Sequence, residues 1–157
     1  MADVINGLWA ASATPVMPDG EVDHAALAAH ARRLIERGCD GLVLFGTSRE
    51  GPSFAIAQRL RATEAVLRSG IAPAKLALGT GCAVVADTIV MTRASLALGI
   101  TRAMILPPFY FAGASDEGIE DAFAEVIEGV ADARLSACLP HPRITRPLVE
   151  GCRTAGS

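Results

Sequence analysis

Apolar and polar positions along the 157 residues fall into two alternating kinds of segment. Short apolar runs occur at Leu8 to Ala13, Gly41 to Phe45, Leu76 to Gly79 and Ala103 to Leu106. They show little polar alternation, the pattern of strands buried on both faces of a parallel sheet. Each is followed by a longer segment with helical spacing. The first holds Leu27, Ala31, Leu34 and Ile35, the second Ile56, Leu60 and Leu67. The third holds Ile89, Leu96 and Ala97, and the fourth Ile119, Phe123, Val126, Ile127 and Val130. Asp23 stands where a side-chain oxygen would cap the first helix. Gly38, Gly70, Gly99 and Gly129 follow the helical stretches at steps of 32, 29 and 30 residues. Glycine just past a helix takes the left-handed conformation without a Cβ clash, and a period of about 30 residues is one strand plus one helix. The pattern predicts an α/β chain of four βα units, with a fifth strand starting over Leu135 to Leu139.

Composition narrows the class. Hydrophobic residues make up 51% of the chain and the mean hydropathy is +0.37, enough apolar surface to build a core and to exclude a disordered chain. A formal charge of −3 leaves no electrostatic footprint for nucleic acid or an anionic membrane. Gly, Arg, Asp or Thr interrupts every long apolar window, so none reads as a membrane span. Met1-Ala2-Asp3-Val4 lacks the basic start of a secretory leader, and a cytoplasmic location is expected. Cys39, Cys82, Cys138 and Cys152 form no Cys-x-x-Cys pair; they are expected to be buried free thiols rather than metal ligands. His24 and His30 lie on the first helix without a ligand set, and Arg32, Arg33 and Arg37 read as a solvated helix face. Lys75 is the single lysine and Tyr110 the single tyrosine, so chemistry needing an amine or a phenol has one candidate each.

The last stretch differs in kind. Residues 1–132 carry a net charge of −6, whereas residues 133–157 carry +3 and include Pro140, Pro142 and Pro147. Proline this dense interrupts both helices and central strands. The stretch is either a solvated, disordered arm or the product of a shifted or interrupted reading frame, and its composition favours the second.

Two stretches carry the candidate chemistry. In residues 41–54 a buried strand runs into a loop with Gly46, Thr47, Ser48, Glu50 and Gly51, then into a helix expected to be capped by Ser53. Backbone N–H groups in such a loop suit a carboxylate or phosphate, although the same residues also suit a plain tight βα turn. The Gly-Lys-Ser/Thr of a nucleoside triphosphate loop is absent. Gly79-Thr80-Gly81 lacks the third glycine of a dinucleotide fingerprint. In the second stretch, Leu106-Pro107-Pro108-Phe109-Tyr110-Phe111 closes the fourth strand, where parallel α/β enzymes place ligand-facing loops. Tyr110 can donate or accept a proton there; alternatively the aromatics plug the mouth of the fold or meet another subunit.

Together these residues resemble the dihydrodipicolinate synthase / N-acetylneuraminate lyase family of pyruvate-dependent class I aldolases. The likeness rests on Gly7-Leu8-Trp9 through Thr14-Pro15, Asp19-Gly20 with Val22-Asp23, the Gly46-Thr47-Ser48-Arg49-Glu50 loop, Gly79-Thr80-Gly81 and Pro107-Pro108-Phe109-Tyr110. It covers roughly residues 5–132. The resemblance implies an α/β fold of the (β/α)8 TIM-barrel type, of which residues 1–132 form the N-terminal half, truncated to about four βα units before the atypical residues 133–157. It also implies a Schiff base between a lysine and pyruvate or another 2-oxo acid, aldol condensation or cleavage, no cofactor or metal, and a homotetramer. Thr47 and Ser48 match the pair that holds the substrate carboxylate. Tyr110 matches a tyrosine that reaches a neighbouring subunit's site and, with the position of Thr47, joins a proton relay. Arg49 departs from the family's usual glycine. A complete barrel takes about 250 residues; the fifth-strand tyrosine would fall near Leu139, and the sixth-strand lysine has no counterpart. Lys75 is expected at the end of its strand opposite the active site.

Three readings follow. The chain is half of a Schiff-base aldolase and inactive alone; or a half-barrel that associates with itself or a second chain through its open sheet edges; or a doubly wound ligand-binding domain with an open five-stranded sheet.

Overall fold

The computed structural model describes residues 6–47, 51–110, 113–132 and 135–138. Ser48, Arg49, Glu50, Phe111, Leu139 and the Pro-rich stretch that follows lie outside the described residues. Five strands alternate with four helices: β1 (Trp9–Ala11), α1 (His24–Glu36), β2 (Gly41–Leu44), α2 (Ile56–Arg68), β3 (Leu76–Gly79), α3 (Val85–Ala97), β4 (Arg102–Met104), α4 (Asp116–Val130) and β5 (Ser136–Cys138).

All strands are parallel, and their order in the sheet is their order in the chain, β1-β2-β3-β4-β5. A doubly wound domain reverses its strand order at a switch point. No reversal occurs among the described strands, which overturns the doubly wound reading. Crossovers of one hand between sequential parallel strands deliver every helix to the same side. Accordingly α1 packs on α2, α2 on α3 and α3 on α4. Leu42, Leu44, Leu76 and Leu78 point to the helical side and bury against Leu27, Ala31, Ala62 and Val66. A second cluster joins Ala103 and Ile105 to Ile119, Phe123 and Val126 of α4.

The opposite face is concave. Register places Trp9 beside Gly41 and Arg102 beside Ala77, on the side away from the helices. Three strand spacings of about 4.8 Å separate β1 from β4 in a flat sheet, yet the Arg102 guanidinium lies 5.2 Å from the Trp9 ring centroid. Gly41 beside Trp9 and Ala77 beside Arg102 offer little or no side chain, although they lie in different rows, Ala77 pairing with Val43 on β2. A Cβ on Gly41 would fall 2.5 Å from the Trp9 ring. Parallel strands in sequential order, with successive helices packed on one another along one side, form a stretch of TIM-barrel wall.

Helix ends follow local chemistry, with two corrections. Asp23 caps α1, its Oδ1 accepting from the Ala26 N–H at 2.9 Å. Gly38, Gly70 and Gly99 have φ of 99°, 95° and 82°, as their place after a helix requires. Gly129 does not end α4: the helix runs to Val130 and turns at Ala131, φ 49°. A Cβ on Gly129 would lie 2.6 Å from Ile89 Cδ1, so this glycine lets α3 and α4 approach. Ser53 does not cap α2 either. It sits in a single 3-10 turn, Gly51–Ser53, and α2 starts at Ile56, where Gln58 Oε1 accepts from the Ala55 N–H at 3.1 Å.

Candidate functional site

Because the strands are parallel, their C-terminal ends form one rim, and the segments that follow them build whatever site the wall carries. Ser12 and Thr80 prolong the sheet there, their N–H groups donating to the carbonyls of Val43 and Met104, each at 3.0 Å. Both residues are fully buried. Thr80 Oγ1 lies 2.9 Å from the hydroxyl of Thr92, which donates to the Thr88 carbonyl at 2.7 Å. The floor of the rim is therefore pinned from α3.

The loop after β2 leaves through an unusual residue. Phe45 is buried and has φ 55°, a left-handed conformation that costs a residue with a Cβ roughly 1–2 kcal/mol. Two glycines hold it there: a Cβ on either Gly51 or Gly79 would lie 1.9 Å from the Phe45 carbonyl oxygen. The Phe45 ring packs edge-on against Phe54 at 5.7 Å. The Gly51 N–H donates to the Gly46 carbonyl at 3.2 Å, closing the loop on itself. Out of this clamp the chain delivers Thr47 to the surface, exposed. Strain of this kind persists only where surrounding packing enforces it.

The structure brings Thr47 and Tyr110 to the same rim, after β2 and β4. Tyr110 is 74% exposed and Phe109 beside it 47% exposed. Ser48 lies outside the described residues. Lys75 is exposed in the 3-10 turn Pro73–Lys75 that precedes β3, at the opposite end of the wall from Thr47. No group of three His, Cys, Asp or Glu side chains suited to a metal occurs among the described residues. No described helix is long and apolar enough to cross a membrane. Cys39 and Cys82 are free thiols, half-buried rather than buried.

A cavity of about 380 Å³ lies beside the rim, between Cys82, Val84, Thr88, Leu106, Pro108 and Phe123. Its walls come from the segments that follow β3 and β4 and from the facing sides of α3 and α4. The Cys82 thiol is the one ionisable side chain in its lining.

Two residues escaped the sequence pattern. Phe45 reads as the last apolar residue of a strand. Arg59 is not singled out in the sequence, yet it is only 2% exposed. It shares a buried stripe with Ala62, Thr63 and Val66, at the i, i+3, i+4, i+7 spacing that marks a core-facing side. That spacing is the one signal that pointed to its burial.

The wall, its sequential strand order and the loop after β2 agree with a match of residues 4–134 to the model of the dihydrodipicolinate synthetase family. The chain belongs to this family. An uncharacterized DapA-like lyase of Chloroflexus aurantiacus is 34% identical over a 151-position alignment that covers 92% of this chain and 50% of the relative. The crystal structure of dihydrodipicolinate synthase from Agrobacterium tumefaciens superposes with a TM-score of 0.84 at 29% identity, covering 96% of this chain and 55% of that one. A family member from E. coli K12, solved in complex with pyruvate, superposes with a TM-score of 0.78 at 22% identity over 91% of this chain and 47% of its own, a likeness of fold. The chain spans about half the length of the relatives it matches.

Proposed function

We propose that this chain supplies the carboxylate-binding half of a 2-oxo acid aldolase site, the family reaction being Schiff-base condensation or cleavage with pyruvate or a related acid. One observation carries the reading: a clamped, strained strand end presents Thr47 at the C-terminal rim of a barrel wall belonging to this family. Thr47 and Ser48 hold the substrate carboxylate through hydroxyl and backbone donors, and Tyr110 contributes a phenol for proton transfer or reaches into a neighbouring copy's site. The pyruvate complex of the E. coli relative supports the substrate class.

The chain taken by itself does not turn over. Imine formation needs an unprotonated, desolvated amine beside the bound acid. Lys75, the one lysine, is exposed at the other end of the wall, away from Thr47 and not desolvated. The second reading is a half-barrel subunit or binding module, favoured by the two sheet edges β1 and β5, each with one neighbour among the described strands. A cytoplasmic location fits either reading.

Borohydride reduction of the purified chain with pyruvate tests the proposal, read by intact mass. The expected result is no adduct above background, together with pyruvate-dependent shifts of the Thr47 amide by NMR. A stoichiometric adduct at Lys75, or carbon–carbon bond cleavage by the chain alone, overturns it. A monodisperse dimer on gel filtration without pyruvate-dependent shifts favours the second reading.

A further inference from the structure

Arg59 is a full charge, 2% exposed, and neither of the ion pairs found among the described residues, Arg61–Glu21 and Arg68–Glu64, includes it. Its guanidinium donates to the carbonyls of Gly79 at 3.1 Å and Gly81 at 3.2 Å, and to Cys82 Sγ at 2.9 Å. Its Nε finds no partner. Burying such an ion costs several kcal/mol after relaxation; here hydrogen bonds to two backbone carbonyls and a thiol, with no counter-charge among the described residues, offset that cost. Those contacts define a geometry.

The segment it grips needs holding. Gly79 and Gly81 flank Thr80 at the end of β3, and glycine leaves the backbone its widest freedom. Gly79 also lies against the Phe45 carbonyl, at a distance that admits no Cβ. A continuous path of contact thus runs from Arg59 to the Gly79 carbonyl, through Gly79 to the Phe45 carbonyl, and along the chain to Gly46 and Thr47.

We propose that Arg59 is a positioning residue: it fixes the strap Gly79–Cys82 to α2, and through Gly79 keeps Phe45 left-handed and Thr47 in place to receive a carboxylate. The role of Thr47 rests on the function proposed above; the mechanical link from Arg59 to Thr47 does not. Nη1 serves both carbonyls and Nη2 the Cys82 sulfur; lysine, a single point charge on a flexible stem, preserves charge and loses the second arm and the planar orientation.

The test uses the full chain with Arg59→Met and Arg59→Lys. Without ligand, amide hydrogen exchange is read at Gly51, Thr80 and Cys82, whose N–H groups donate to the Gly46 carbonyl, the Met104 carbonyl and Thr88 Oγ1. Arg59→Met is expected to melt within a few degrees of the parent chain yet to exchange at these amides at least about 10-fold faster, with Arg59→Lys between the two. With pyruvate as the probe, followed at the Thr47 amide, Kd is expected to rise about 10-fold in Arg59→Met and less in Arg59→Lys. Unchanged exchange at Gly51 and Thr80 in a folded Arg59→Met overturns the inference, as does unchanged pyruvate affinity. Should Arg59→Met not fold, Arg59→Lys decides alone, and parental exchange at Gly51 and Thr80 sinks the inference. If the parent chain shows no pyruvate response at Thr47, the functional reading fails, while the exchange measurement still judges Arg59.

Discussion

Replacing Gly79 by alanine probes the clamp on Phe45 directly. Gly79 has no left-handed φ, so alanine fits the local backbone and the whole effect is steric. Its Cβ would stand 1.9 Å from the Phe45 oxygen and 2.6 Å from the Phe45 carbonyl carbon. A carbon needs about 3.3 Å from a carbonyl oxygen, so the backbones at the ends of β2 and β3 must part by roughly 1.4 Å. Nothing flexible can yield, since both neighbours are main chain. Overpacking of well-packed sites costs about 1–3 kcal/mol, and displaced pairing at the strand ends adds to it, giving roughly 3 kcal/mol. For a chain of this size that lowers Tm by about 6–12 °C. The control is Gly20→Ala, which meets nothing within 4 Å but sits at φ 86°, and costs about 1 kcal/mol from backbone strain alone. Thermal melts and urea titrations followed by circular dichroism measure both. The Thr47 amide resonance should move in Gly79→Ala and stay in Gly20→Ala. If Gly79→Ala is within about 0.5 kcal/mol of the parent, the range of surface-like changes, the clamp does not exist as described.

Two further outcomes test the packing and the local chemistry. Asp23→Ala removes the acceptor that caps α1 and should cost about 1 kcal/mol, read from the urea midpoint with an unchanged slope; a neutral result would show that the cap is dispensable. Leu78→Ala empties a fully buried position between the sheet and its helices and should cost about 2–5 kcal/mol; a loss below 1 kcal/mol would mean that the helices do not pack on this face as described.

The repeating βα units were legible because their causes are local. Apolar runs without alternation mark strands covered on both faces, and Asp23, Gly38, Gly70 and Gly99 act on the helix ends within a few residues of themselves. The same local reasoning misplaced the start of α2 and the end of α4. Ser53 and Gly129 have the right chemistry for caps, but Gly51 is committed to Phe45 and Gly129 to Ile89. Arg59 was missed because charge says polar while spacing says buried, and only the carbonyls of Gly79 and Gly81 reconcile the two.

By itself the sequence determined the period, the alternation of strand and helix, the family likeness and the residue types that a carboxylate-binding loop needs, since each depends on neighbours within a turn or a strand. Tertiary structure alone decided that the strands follow one another without reversal, that Trp9 meets Arg102 across two intervening strands, and that Phe45 is forced left-handed under Thr47. Those features arise where segments about 30 or more residues apart press their backbones together, and the space left between two main chains is written in no single stretch of either.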